Sequence, residues 1–450
     1  NMETEKKGFP AAFWVCACTE IFERLAYYLG RSLILIFVTA SVATGGLGLS
    51  DTVAANMQSN LTAFSYLLPL FGAVIVDKYI GARYTTPVGM FIAAAGYFTG
   101  GIAKSSVGVY AMIFLVSLGL ALFKNGAIIG RVITDKSQMD PAFSMRYTLV
   151  NVGAFIGTFL VGILYKDVFA KDGVLGFAPC FKMAALMMVL GGLWYIFVCW
   201  RFLGDLGKLP FKKTLTEEEK AAEAKKKEET GTKQPLTTIE KKRIGAIFVA
   251  SLFSIVFWIF WYLGYMPVYF YWAENMDWVV AGYQVPSTWF DAANSLFCVI
   301  LGPVTAALWK KLAARPQGDM SLFRKTGLGI AIIGVGYLFY AAIDILRGGE
   351  KASVLWLIVF AFLLTMGEMF FSPLGHSFIS KYSPSRYLAV MMSVWGFATF
   401  IAAKSYGPVY GLLFGGNLEF KTACIGVAVV SFVAAFIMIA LDKKLSALVD

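Results

Sequence analysis

Charge and histidine are scarce in this 450-residue sequence. Asp, Glu, Lys and Arg together make up 15% of the residues, histidine occurs once, and hydrophobic residues make up 58%. The mean hydropathy is +0.68, far above the range of ordinary soluble domains. This composition excludes an ordinary soluble protein and predicts that most of the chain lies in a lipid bilayer.

The sequence also lacks the motifs of enzymes and of nucleotide-driven pumps. It has no glycine-rich phosphate loop followed by Lys and Ser or Thr, and its six cysteines show neither metal-ligand spacing nor a disulfide framework. No nucleophile is paired with a base. We therefore expect no enzyme activity, no cofactor and no bound metal, and we expect an ion gradient or the substrate's own gradient to supply the energy.

The net charge of +11 does not indicate a nucleic-acid partner, because the basic residues lie in short gaps between apolar runs and form no patch with interleaved aromatics. They indicate topology instead. Even-numbered connections between the runs are richer in Lys and Arg than odd-numbered ones: Lys310, Lys311 and Arg315 follow the eighth run, whereas residues 40–57 contain none. This asymmetry predicts a multi-pass protein of the cell membrane with both termini in the cytoplasm.

Apolar runs long enough to span a bilayer, about 20 residues each, occur twelve times. They lie at residues 10–39, 56–77, 83–103, 107–131, 143–165, 179–203, 243–273, 286–312, 323–346, 352–379, 386–412 and 420–441. The runs do not alternate between apolar and polar residues, which favours helices over a β-barrel. The sequence therefore predicts an all-α membrane protein of twelve transmembrane helices.

A charged segment divides these runs into two sets of six. We expect an N-terminal six-helix bundle over residues 1–203, a cytoplasmic linker over residues 204–242, and a C-terminal six-helix bundle over residues 243–450. The linker is rich in Glu, Lys and Ala, so it is either an amphipathic helix at the membrane surface or a solvated tether. Two such halves are typical of secondary transporters built from parallel repeats.

The first run contains several charges on one face. Glu20, Glu23, Arg24, Tyr27 and Arg31 recur at helical spacing and occupy a stripe roughly 100° wide. An isolated charge near the bilayer centre costs on the order of 3 kcal/mol, so these groups must pair or face water. They form either a static ion-pair network or part of a translocation route, and the combination of acid, base and phenol favours the route.

Later runs contain further charges. Lys124 and Glu368 are embedded in the fourth and tenth runs, and we predict that they pair with each other across the two halves. Asp291 in the eighth run is either a proton site or an acid near the outer end of its helix. His376 is the single histidine, and its position is more typical of a satisfied interior residue than of a site.

Residues 20–28, Glu-Ile-Phe-Glu-Arg-Leu-Ala-Tyr-Tyr, resemble the Glu-x-x-Glu-Arg-Phe-x-Tyr-Tyr signature of the proton-dependent oligopeptide transporter family of the major facilitator superfamily. The likeness extends over both halves, at residues 66–72, 77–83, 122–124, 143–155, 290–294, 368–373 and 391–395. The resemblance implies the major facilitator fold, with twelve transmembrane helices in two six-helix bundles around a central cavity.

The resemblance also implies roles for individual residues. Arg31 and Lys124 would meet the substrate carboxylate, and Glu368 with Asn294 its amino group. The residues expected to couple protons are Glu20, Glu23, Arg24, Glu368 and Asp291. The remaining residues expected in the substrate site are Tyr27, Tyr28, Tyr66, Asn151, Tyr262, Ser372 and Trp395.

Four positions depart from the family pattern. Asn125 and Gly126 follow Lys124 where the family has Pro-Asn, and Leu25 replaces the phenylalanine of the signature. Tyr262 occupies the helix 7 position at which many members have an acid that pairs with the helix 1 arginine. We expect Asp291 to compensate for the missing acid.

The function implied by the resemblance is proton-coupled symport of di- and tripeptides into the cell by alternating access. The alternative is a symporter of the same fold for another small anionic or amino-acid-derived substrate, such as nitrate, a carboxylate or a conjugate. The expected partners are protons, a short peptide and the lipid bilayer, with no nucleic acid, and we expect a monomer.

Overall fold

The protein is described by a computed structural model that covers residues 8–231 and 234–448, without the side chains of residues 376 and 377. The prediction for His376 therefore falls outside the described residues. Contacts within the chain divide it into two compact units. One runs to Gly48 and resumes over Leu68–Leu215, and the other contains Leu49–Leu67 and the chain from Thr216 onward.

The first unit is built from α-helices with short 3₁₀ and π segments. Its helices are α1 (Ala11–Thr39), the second part of α2 (Asp51–Lys78), α3 (Ala82–Gly101), α4 (Ser106–Leu122), α5 (Asn125–Val132), α6 (Met139–Ile163), α7 (Phe177–Trp194) and α8 (Trp200–Leu203). The π segments are Leu164–Val168 and Tyr195–Cys199, and the 3₁₀ segments are Val42–Thr44, Lys136–Gln138 and Phe211–Lys213.

The second unit contains the first part of α2 and the remaining helices. These are α9 (Glu217–Gly231), α10 (Thr238–Leu263), α11 (Met266–Tyr269), α12 (Tyr271–Asn275), α13 (Thr288–Ala313), α14 (Leu322–Leu346), α15 (Trp356–Phe371), α16 (His376–Tyr382), α17 (Leu388–Phe414), α18 (Phe420–Ala440) and α19 (Asp442–Ser446), with a 3₁₀ turn at Ser385–Tyr387.

Four two-residue strands lie in the loops of this unit. β1 (Met276–Asp277) pairs in parallel with β4 (Ala352–Ser353), with Met276 opposite Ala352. β2 (Val279–Val280) and β3 (Tyr283–Gln284) form an antiparallel hairpin, with Val279 opposite Gln284. The strands are confined to connections between helices, so the all-α prediction holds for the spans.

All twelve predicted runs fall on helical segments. Within the described residues, nine segments are long and apolar enough to cross a membrane, and Trp356–Phe371 is a shorter apolar helix. Three predicted runs are interrupted: the fourth between α4 and α5, the seventh on both sides of α11, and the tenth between α15 and α16. The division into residues 1–203, 204–242 and 243–450 stays a prediction.

Helices within each unit approach closely at glycines. A Cβ atom on Gly89 of α3 would lie 2.3 Å from the carbonyl oxygen of Gly119 in α4, and one on Gly329 of α14 would lie 2.9 Å from that of Gly367 in α15. Small residues allow this approach, which packs helices where lipid removes the hydrophobic drive for association. These glycines thus allow neighbouring helices of each unit to pack closely.

Among the described residues of the predicted linker, α9 is the α-helix that lies wholly within it, and α10 begins before its end. None of the residues of α9 is buried, and charged residues surround it on all sides. A helix without an apolar face is typical of a solvated connection. The structure therefore favours the tether over the amphipathic helix.

Candidate functional site

Glu20 on α1 belongs to a network that joins three helices of the first unit. The residue is 2% exposed. Its Oε1 accepts a hydrogen bond from Arg146 Nε of α6 at 2.9 Å and lies 2.8 Å from Arg146 Nη2. Asn125 Nδ2 of α5 approaches the same oxygen at 3.4 Å. The buried carboxylate is thus paired, as its insertion cost requires.

One turn further along α1, Glu23 is 1% exposed and forms an ion pair with its neighbour Arg24. The Arg24 guanidinium lies over the ring of Tyr27, with Cζ 4.5 Å from the ring centre, and within 5.6 Å of the ring centre of Tyr28. The face predicted from helical spacing therefore forms a continuous acid, guanidinium and phenol cluster.

Two other predicted residues of the first unit lie on α1 and α6. Arg31 is buried, 7% exposed. Asn151 is half-buried, and its Nδ2 donates to the carbonyl oxygen of Tyr147 one turn earlier in α6 at 3.1 Å. The amide of Asn151 is therefore held along its own helix.

Lys124 lies at a break between two helices rather than inside a single one. α4 ends at Leu122, Phe123 is extended, and α5 begins at Asn125. The Lys124 ammonium donates to the carbonyl oxygen of Pro69 in α2 at 2.6 Å, and its backbone N–H donates to Thr86 Oγ1 at 3.2 Å. The break orients this lysine, and the apolar pattern of the run did not reveal it. The predicted pairing of Lys124 with Glu368 stays a prediction.

In the second unit, α13 and α15 bring three predicted residues close together. Cys298 Sγ donates to Glu368 Oε2 at 3.6 Å, and one turn away Asn294 Nδ2 donates to Thr365 Oγ1 at 2.7 Å. Ser372 Oγ donates to the backbone carbonyl of Glu368 at 2.6 Å. Glu368 is half-buried, and the side chains named here around it are neutral. Its carboxylate can therefore receive a proton or bind a cationic group.

Asp291 occupies the first turn of α13, as the second alternative expected. It is nevertheless buried, 7% exposed, and its Oδ1 accepts a hydrogen bond from the Tyr269 hydroxyl at 3.0 Å. The position at the helix end does not place this acid in open solvent.

An aromatic cavity of about 200 Å³ lies within the second unit. Four predicted substrate residues line it, and three further residues complete the wall. The seven are Tyr66, Tyr262, Ser372 and Trp395, with Trp258, Leu374 and Thr399. The structure thus brings together residues from α2, α10, α17 and the segment between α15 and α16. None of the lining residues is charged.

Tyr262 contacts both Tyr66 and Tyr406 in this wall. Its hydroxyl donates to the hydroxyl of Tyr66 at 3.2 Å, and its ring stacks on Tyr406 with centroids 4.8 Å apart. Tyr262 is 8% exposed and Tyr66 is 47% exposed. At the position of the missing acid, this chain therefore has a buried phenol that shapes an uncharged pocket.

Several residues at these sites were not predicted as such. Arg146 lies within α6 and pairs with Glu20. Asn125 contacts the same carboxylate. Trp258 and Thr399 are each four residues from a predicted member of the cavity, and this spacing is the signal that could have revealed them.

No group of three His, Cys, Asp or Glu side chains able to hold a metal ion occurs among the residues that the structure describes.

Comparison with known proteins gives one family match. A family model described as the POT family matches residues 205–413. An uncharacterized transporter of Bacillus subtilis strain 168 is 25% identical over 448 residues, covering 90% of this chain and 88% of that protein. A di-/tripeptide transporter of Lactococcus lactis subsp. cremoris is 24% identical over 447 residues, covering 87% of this chain and 88% of that protein.

Solved structures with the same fold include a POT family transporter in complex with 5-aminolevulinic acid. It has a TM-score of 0.84 and 24% identity and covers 98% of both chains. A peptide transporter POT in complex with sulfate has a TM-score of 0.85 and 23% identity, covering 99% of this chain and 97% of that one. These similarities confirm the predicted fold class.

Proposed function

We propose that this chain, which a POT family model matches over residues 205–413, is a membrane transporter of that family, a symporter that imports di- and tripeptides together with protons by alternating access. The cavity of the second unit carries this proposal. Four of its seven lining residues are aromatic and none of the seven is charged, and its volume of about 200 Å³ has room for one apolar or aromatic side chain of a peptide. The di-/tripeptide transporters among its relatives support the same substrate class.

Charged residues can bind the carboxylate and the amino group at the two ends of a peptide. We assign the substrate carboxylate to Arg31 and Lys124, because a guanidinium and an ammonium form charge-assisted hydrogen bonds with carboxylates. We assign the amino group to Glu368 with Asn294. Glu20, Glu23, Arg24 and Asp291 then remain for proton coupling, together with Glu368. The other members of the proposed substrate site are Tyr27, Tyr28 and Asn151.

Transport into proteoliposomes tests this proposal. With an acidic exterior and an inside-negative potential, the wild-type protein accumulates a labelled dipeptide, whereas Lys124→Ala and Glu368→Gln do not. Lys310→Ala, an exposed lysine at the end of α13, is the matched control and accumulates peptide normally. If either site variant concentrates peptide as well as the wild type does, the assignment is wrong.

The second candidate is a small amino-acid-derived or anionic substrate. Tyr262, at the position of the missing acid, favours it, and one similar structure holds 5-aminolevulinic acid. A thermal-shift panel of dipeptides against small anions and amino-acid derivatives distinguishes the two, since a bound ligand raises the melting temperature. If only the second group raises it, peptide import is contradicted.

We further propose that the transporter works as a monomer in the cell membrane with both termini in the cytoplasm. The excess of Lys and Arg in the even-numbered connections supports this orientation. Labelling of single cysteines tests it: a cysteine at Ser50 is expected to react with an impermeant thiol reagent added outside cells, and one at Lys311 only after permeabilisation.

A further inference from the structure

Asn125 is a buried amide with one unused hydrogen-bonding atom beside a buried acid. It is the first residue of α5 and is fully buried. Its Nδ2 donates to the carbonyl oxygen of Cys16 at 2.8 Å and approaches Glu20 Oε1 at 3.4 Å. Its Oδ1 accepts no hydrogen bond from any residue that the structure describes. A buried acceptor without a donor carries a free-energy cost, so this atom needs an explanation.

The partners of Glu20 show where a proton would go. Arg146 Nε, Arg146 Nη2 and Asn125 Nδ2 all approach the same oxygen, Oε1. Oε2 is therefore the oxygen on which an added proton resides with the least disturbance of these contacts. Arginine offers only donors, so Arg146 can serve the ionised carboxylate but cannot accept a hydrogen bond from a protonated one.

We propose that Asn125 is the positioning residue that receives the protonated form of Glu20, through an acid–amide pair in which Oε2–H donates to Asn125 Oδ1 while Asn125 Nδ2–H donates to Oε1. An amide carries a donor and an acceptor side by side, which matches a carboxylic acid. The proton comes from water, Arg146 is released as the pair closes, and the reverse exchange returns the proton. This inference rests on the proposed proton coupling.

Other titratable groups of the first unit lie near the cluster that contains Glu20, among the residues that the structure describes. Glu23 interacts with Glu20, and Arg24, Arg146 and Tyr97 interact with Glu23. A second interacting group lies around Cys16, one turn earlier on α1, and consists of Cys16, Cys18, Arg83, Tyr195 and Cys199. Arg24 is paired with Glu23. Arg146 is therefore the cation that balances ionised Glu20, and Asn125 is the neutral group in contact with it.

The test is the pH profile of proton-driven uptake in Asn125→Leu proteoliposomes. The variant loses Oδ1, which only the protonated carboxyl uses, and the Nδ2 contact with Oε1, which both forms have. The ionised carboxylate keeps both bonds from Arg146. Half-maximal uptake is therefore expected about one pH unit lower in external pH than in the wild type, the size of one net hydrogen bond. Counterflow exchange of peptide, which needs no net proton movement, is expected to stay at the wild-type rate.

Ser117→Ala is the control, because Ser117 is also fully buried with an unpartnered side-chain oxygen. Its pH profile is expected to match the wild type. An Asn125→Leu profile that is unshifted or moves to higher pH overturns the inference. Loss of both uptake and counterflow in wild-type protein would instead contradict the proposed function.

Infrared difference spectroscopy provides a second measurement that needs neither transport nor the leucine variant. On acidification, the wild type is expected to show a hydrogen-bonded carboxylic-acid C=O band that is absent in Glu20→Gln, accompanied by a change in an asparagine amide band identified by ¹³C-asparagine labelling. A Glu20 band without an asparagine signal would overturn the pairing.

Discussion

Gly72 of α2 is the residue at which two backbones of the first unit approach most tightly. A Cβ atom there would lie 1.7 Å from the carbonyl oxygen of Ala121 in α4 and 3.0 Å from Lys124 Cε. The obstructing atom belongs to the backbone and cannot rotate away. The same contact lies beside Lys124. The absence of a side chain at Gly72 therefore affects both the packing of α2 on α4 and the position of Lys124.

Gly72→Ala is therefore expected to destabilise the protein by about 1–3 kcal/mol, the usual cost of overpacking, and to lower its melting temperature in detergent. Gly302→Ala in α13 is the matched control, because no atom lies within 4 Å of its added Cβ. Alanine has the higher helix propensity, so this control is expected to melt at the wild-type temperature or above. Equal melting temperatures for both variants would contradict the packing argument.

Tyr262 allows the role of the helix 7 position to be measured directly. Tyr262→Phe removes the hydrogen bond to Tyr66 but keeps the stack on Tyr406. Because one net hydrogen bond contributes about 1 kcal/mol, we expect a KM for peptide up to about fivefold higher with proton-driven accumulation intact. Tyr262→Ala also removes the stack on Tyr406, and we expect it to raise the KM for peptide further. Loss of coupling in the phenylalanine variant would show that the phenol takes part in proton transfer.

At the scale of elements, several residues with proposed roles lie where helices are interrupted. The break between α4 and α5 orients Lys124 toward Pro69 and brings Asn125 against Glu20. The interruption between α15 and α16 begins at Ser372, which lines the aromatic cavity. Ends of helices leave backbone groups without intrahelical partners, which is why side chains and ligands bind there.

For the helix α9 we predict that replacement has no effect. None of its residues is buried, so replacing residues 217–231 by a Gly/Ser segment of equal length is expected to leave the melting temperature and peptide uptake within error of the wild type. Fluorescence-detected gel filtration and an uptake assay measure both. A drop in uptake without a drop in melting temperature would assign this helix a part in the transport cycle.

At the scale of the whole molecule, the proposed function sets a limit on accumulation. One proton that crosses 100 mV supplies about 2.3 kcal/mol, and about 1.4 kcal/mol corresponds to a tenfold ratio. Symport of one proton with a neutral peptide can therefore sustain roughly fifty-fold accumulation at that potential alone. Steady-state uptake at clamped potentials measures this ratio, and a ratio unaffected by a proton uncoupler would contradict proton coupling.

The sequence by itself determined the membrane character, the twelve helical runs and the polar face of α1, because lipid demands about 20 apolar residues per span and helical periodicity aligns charges without any tertiary information. The family signature led to four members of the aromatic cavity. It did not reveal the break before Asn125, the pairing of Arg146 with Glu20, or the contact of Tyr262 with Tyr66. These depend on residues 126 and 196 positions apart in the chain, and only the packing of helices in the tertiary structure decides which distant side chains meet.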